Sequence, residues 1–112
     1  MTHYMNLHNN PFNSIKNKSK TVEMRLNDEK RSLIKINDFI EFTNNVTNEK
    51  MLVKVIDIKS YQDFSLLYKE YQKEEIGYKI DEVANPDDML LYYSKEKIEK
   101  YGVLAIRMEV ID

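Results

Sequence analysis

Apolar residues recur along the chain with two periods, and the change of period divides it. Val22, Met24 and Leu26 alternate with Thr21, Glu23 and Arg25. This is the pattern of a strand with one buried and one polar face, expected over residues 20–26. Residues 39–43 predict a second strand, entered through a turn at Asn37-Asp38. Residues 51–58, rich in Val and Ile, predict a third. Asn44, Asn45 and Asn48 mark the turn between them. From Asp63 the spacing becomes helical: Phe64, Leu67, Tyr68 and Tyr71 share a face, with Asp63 as a cap. A second short helical piece is expected to end at Ile76-Gly77. Asn85-Pro86 signals another start, followed by Met89, Leu90 and Tyr93. Ser94 then caps a short helix that stops at Tyr101-Gly102. Residues 103–111 close the chain as a strand with Leu104, Ile106, Met108 and Val110 on one face. Near the beginning, Asn10-Pro11 reads as an N-cap and first helical residue, with Phe12 and Ile15 on one face of a helix that fades near residues 17–19. Residues 27–35 are charged and read as a loop.

Four or five strands with helices inserted between them predict an α+β domain. The helices do not follow every strand, so a small, partly closed barrel decorated by helices is expected rather than a doubly wound sheet. A length of 112 residues suits a single domain over 1–112. Two glycines and two prolines leave no linker. No apolar run approaches the ~20 residues of a membrane span. Residues 1–4 carry neither a basic nor an apolar leader region, so no signal peptide and a cytoplasmic location are expected.

Several chemistries are excluded by composition. There is no cysteine, hence no disulfide scaffold, thiol nucleophile or thiolate metal site. His3 and His8 have no recognised metal spacing, so no metal is expected, nor any cofactor. His8 reads as a structural or solvent-facing residue. There is no glycine-rich phosphate loop and no nucleophile elbow.

Charge changes the picture locally. The chain has 17 Lys+Arg against 19 Asp+Glu, for a net charge of −2, which argues against a protein that coats nucleic acid generally. Residues 16–35 nevertheless hold seven basic and three acidic side chains. Within them, Glu23 and Arg25 point the same way on a strand, about 6.6 Å apart along the chain, and Lys20 stands at its entrance. A carboxylate between two cations can bind an anion, position a carbonyl or activate water. It can equally be a salt-bridge network on an exposed sheet face. Eight tyrosines are the second unusual feature, six of them in the helical second half. They can stack on bases beside a basic cleft or edge a small core with their hydroxyls in water. Tyr92-Tyr93-Ser94, just before a cap, is the group placed to lie beside the cleft.

The chain resembles the ASCH domain family, a branch of the PUA-like superfamily, over about residues 5–111. Lys20-Thr21-Val22-Glu23-Met24-Arg25 fits the family's G-x-K-x-x-E-x-R pattern. Residues 36–42 are similar to its x-G-D-x-I-x-F strand entry. Tyr92-Tyr93-Ser94-Lys95 and residues 101–106 are similar to its C-terminal Y-Y-S…Y-G-V-x-x-I segment. The motif glycines are replaced by Lys18 and Asn37, and Asn tolerates the left-handed conformation. The resemblance implies a PUA-like barrel of about five strands with a cleft between barrel and helices, in which RNA or a nucleotide-like ligand binds. The ligand contacts so implied are Lys18, Lys20, Thr21, Glu23, Arg25, Tyr93 and Ser94. Some small members are amidohydrolases on acetylated cytidine, and others are reported as ribonucleases. An enzyme of this kind would use Lys20 and Glu23. The amidohydrolase threonine is matched here by Glu23, so that mechanism does not carry across intact; its distant glutamate corresponds to Glu74 or Glu75.

Overall fold

In the computed structural model, which describes residues 1–111, five strands form one sheet. They are β1 (Thr2–Leu7), β2 (Val22–Leu26), β3 (Phe39–Asn44), β4 (Lys50–Tyr61) and β5 (Val103–Ile111), in the order β1-β3-β4-β5-β2. β1 pairs with β3 in parallel and every other pairing is antiparallel. Helices α1 (Asn9–Lys16), α2 (Phe64–Glu70) and α3 (Lys95–Tyr101) and two short 3-10 segments, Arg31–Leu33 and Pro86–Leu91, complete the domain.

The expected α+β, partly closed barrel is therefore what the chain forms. β1 and β2 are the two edges of the sheet, yet the Arg25 guanidinium of β2 donates to the Asn6 carbonyl of β1 at 2.9 Å. The sheet curls until its edges lie one side chain apart. A bulge helps: the register of β4 on β5 shifts between Val55 and Asp57, which bends the longest strand.

The curled sheet has a core on each side. Inside the barrel, Met5 and Leu7 of β1 meet Ile40, Phe42, Val53, Val55 and Ile106, and α1 adds Phe12 and Ile15. Buried Asn44 ties β3 to α1 by donating to the Asn9 side chain at 2.9 Å. Outside, Val22, Met24 and Leu26 pack under Phe64, Leu67, Met89 and Ile98 of the helical layer.

Three expectations differ from the structure, and one strand was not expected. Thr2–Leu7 is a strand, although its alternation is interrupted at the inward position of His3, which is buried against Asp38 at 2.8 Å. α1 begins at Asn9, with His8 in the N-cap position but making no capping side-chain bond, so Pro11 is its third residue rather than its first. The expected helical piece before Gly77 is a series of turns, pinned where the Glu75 carbonyl accepts from the N–H groups of Thr21 and Val22. β4 runs on to Tyr61, three residues past the expected end, because its far half pairs with the start of β5. Both positions where the family pattern has glycine adopt positive φ, +71° at Lys18 and +75° at Asn37.

Candidate functional site

The polar face of β2 does not look at solvent. Val22, Met24 and Leu26 take the helical layer, so Glu23 and Arg25 point to the barrel side of the sheet, where Arg25 bridges its two edges. Both faces of the strand are covered, and Glu23 is only 3% exposed. The alternative of a salt-bridge network on an exposed sheet face does not hold, since the network is covered.

Lys20 completes an ion triad. Its backbone N–H donates to the Ser14 carbonyl at the end of α1, which sets the entry into β2. Its ammonium lies 2.8 Å from Glu23 Oε1. Glu23 Oε2 accepts from Arg25 Nε at 3.0 Å and Nη2 at 2.9 Å, a two-pronged contact. Gly77 roofs the lysine: a Cβ there would sit 3.1 Å from Lys20 Cδ, and its φ of +110° also disfavours any side chain. Burial raises the Glu23 pKa, but the charges and hydrogen bonds of Lys20 and Arg25 outweigh it and hold the carboxyl at about 2. Burial likewise works against the charged Arg25, and Glu23 reverses the balance, raising its pKa.

The triad lies in a cleft of about 1070 Å³ between α1, β2, the turns around residues 74–82 and the segment that ends in Tyr93. Lys20, Glu23, Arg25 and Tyr93 all line it. Tyr93 stacks on Phe64 at 6.1 Å, and burial raises its pKa. Tyr68 and Tyr78 join hydroxyl to hydroxyl at 2.9 Å, and Tyr78 also donates to Asp88 at 2.7 Å. Exposed Ile80, Leu91 and Tyr92 form an apolar rim.

Three other implied contacts stand elsewhere. Lys18 is exposed beyond the end of α1 and does not line the cleft. Neither does Thr21, whose backbone is bound to Glu75 and Met108. Ser94 accepts from the Lys97 N–H as the N-cap of α3, and it too lies outside the lining. Of the two alternative glutamates, Glu74 lines the cleft, while Glu75 pairs with Arg107 at 2.9 Å. The cleft is not basic: Lys20, Arg25 and Lys79 face Glu23, Glu74, Glu82 and Asp88. The basic segment is dispersed because helix, turn and strand aim its side chains differently, with Lys16 on Glu49 and Arg31 on Asp28. Asn6 and Gly77 were missed from sequence. Asn6 contributes a backbone carbonyl, which leaves no mark on residue type, whereas the scarcity of glycine was a usable signal for Gly77.

Among the described residues no group of three or more His, Cys, Asp or Glu could hold a metal, and no helix is long and apolar enough to cross a membrane.

Among solved structures, the chain is similar to the hypothetical protein PH0355, at 31% identity and a TM-score of 0.84, over 99% of this chain and 100% of that one. It is similar to protein PF0455 from Pyrococcus furiosus, at 30% identity and 0.77, over 100% and 99%. A serine-to-alanine variant of ZmASCH from Zymomonas mobilis shares the fold at 14% identity and 0.68, over 99% of this chain and 73% of that one. No curated protein matches. The model of the ASCH domain matches residues 5–112, and with its curled five-stranded sheet the chain belongs to the ASCH domain family, with a PUA-like fold.

Proposed function

We propose that this protein binds the nucleoside units of single-stranded RNA, or a modified nucleoside, in the cleft above Lys20, Glu23 and Arg25. The observation that carries the reading is the ion triad buried at a cleft edged by tyrosines. Bases offer π-faces for Tyr92 and Tyr93 and polar edges for an ammonium, a carboxylate and a guanidinium. The apolar rim of Ile80 and Leu91 suits a flat ring better than a bare phosphate chain. The near balance of charge around the cleft supports recognition of individual units over coating of a polyanion.

The Lys20–Glu23 contact supports a second reading, a small hydrolase of acylated nucleosides or of RNA. Glu23 is a poor proton carrier for it, since a carboxyl held at about 2 stays ionised at neutral pH. Proton transfer would then fall to Lys20.

Thermal melts against free nucleosides, acylated nucleosides and short RNAs test the binding. A ligand at about 100 times its Kd stabilises by about 2.7 kcal/mol, a rise in Tm of order 10 °C for a domain of this size. No rise with any of the three classes overturns the reading. Hydrolysis of an acylated nucleoside by wild type and its loss in Lys20→Arg, with binding kept, would favour the enzyme, because arginine keeps its proton.

A further inference from the structure

A smaller recess of about 360 Å³ adjoins the cleft and shares Asn6 and Arg25 with it. Its remaining walls are Tyr4 and Met5 of β1, Thr43 of β3, and Lys30 and Arg31 from the loop after β2. Its chemistry differs from that of the cleft. Three cations line it and no carboxylate does.

The nearby acids are already engaged. Glu23 is shared between Lys20 and Arg25. Asp28 accepts from the backbone N–H and Nη1 of Arg31, which fixes that guanidinium from one side. Glu41 sits with Lys50, whose ammonium also donates to Thr43 Oγ1 at 3.2 Å. The Thr43 hydroxyl proton is thereby left to donate. Lys30 makes no ion pair among the described residues.

The Nε–H of Arg31 is buried and has no acceptor among the described residues. A buried donor without an acceptor is costly, and native structures pair nearly all such groups. The rest of the recess offers a guanidinium fixed on one side, an ammonium and a hydroxyl, a donor set that suits a tetrahedral oxyanion.

We propose that this recess is a phosphate subsite, so that the ligand of the neighbouring cleft carries a phosphate next to its nucleoside unit. The inference rests on the reading of the cleft as a nucleoside site, and it sharpens the substrate class from nucleoside to nucleotide. Arg25 is the hinge between the two, because it lines both and is held in place by Glu23 and the Asn6 carbonyl.

Isothermal titrations of the full chain with the four ribonucleosides, their 5′- and 3′-monophosphates, dinucleoside monophosphates and inorganic phosphate test the subsite. At least one nucleotide is expected to bind about tenfold to a hundredfold more tightly than its nucleoside, the range of one or two charge-assisted hydrogen bonds. That advantage should shrink as salt is raised. Lys30→Glu places a carboxylate in the recess at an exposed position and should erase the advantage. A monophosphate that gains most identifies a terminal phosphate, whereas a dinucleoside monophosphate that gains most identifies the RNA backbone. Equal binding of nucleosides and nucleotides overturns the subsite and leaves the cleft reading intact. Binding of inorganic phosphate that is lost in Lys30→Glu, without binding of any nucleoside, supports the subsite and overturns the cleft reading. A nucleotide advantage that survives Lys30→Glu assigns the phosphate elsewhere and overturns the proposal.

Discussion

The two faces of β2 are covered to a similar degree and built from opposite chemistry. On one face, Val22, Met24 and Leu26 join the hydrophobic cluster under the helical layer. On the other, Glu23 and Arg25 sit with Lys20 in an ion triad. The apolar face accounts for why the strand folds where it does, since each buried aliphatic side chain contributes about 1.5–3 kcal/mol. The ionic face is harder to explain by stability. Taking charges out of water costs several kcal/mol per ion, and a well-packed apolar replacement of a buried ion pair is often neutral or better. A domain that needed only to fold would do as well with aliphatic residues on both faces. The contrast marks the ionic face as the part of β2 shaped by something other than folding; both its residues line the cleft, where the apolar face adds only Met24.

Breaking the ionic face should have the largest effect. Glu23→Gln leaves Lys20 and Arg25 covered and uncompensated, and the loss of stability is expected to be about 3–5 kcal/mol by urea denaturation. A loss below about 1 kcal/mol would mean that the triad is solvated and behaves as a surface pair.

Acid should unmake the same face more gently. The folded Glu23 pKa is depressed to about 2 from an ordinary 4.5. The stability this supplies is therefore fully present above pH 4.5 and is lost as pH falls through about 2. It amounts to about 3 kcal/mol. Asp38 and Glu75 are also lowered, Asp38 chiefly by its bond from His3 and Glu75 chiefly by the Gln72 N–H, so they add their own acid sensitivity. The Glu23 share is the difference between wild type and Glu23→Gln, measured by chemical denaturation from pH 5 to pH 2. Parallel curves for the two proteins would contradict the depressed pKa.

The apolar face sharpens the comparison from the other side. Leu26→Ala should cost about 2 kcal/mol, at the lower end for a buried leucine because a little of the side chain remains exposed. It should leave the pH profile unchanged in shape. Nucleoside affinity that fell as far as stability, in protein still fully folded, would show that the two faces are not separable in function.

The alternation in residues 20–26 predicted that Glu23 and Arg25 share a face, and they do, held together by one guanidinium. The same pattern could not say that this face is covered. Alternation reports which residues share a face of a strand, while burial depends on what the rest of the chain lays over it. Here the other edge of the sheet arrives, carrying the Asn6 carbonyl from a strand that His3 hid from the period-two reading. Tyr93 was legible through its neighbourhood to Ser94, but the two separate in space, since the serine turns to cap α3 while the tyrosine stacks on Phe64. A short polar side chain just before a helix reads alike whether it caps or binds.

Residue order alone thus determined most elements of this protein, though not β1, together with the partnership of Glu23 with Arg25 and the turn at Asn37-Asp38. These depend on contacts within a few residues, which local chemistry encodes. The contact that joins the two sheet edges, the burial of the triad, the charge balance of the cleft and the cationic recess beside it were decided only by the tertiary structure. Each depends on groups far apart in sequence, Asn6 with Arg25 and Lys20 with Gly77, and no local pattern records what the fold brings to meet them.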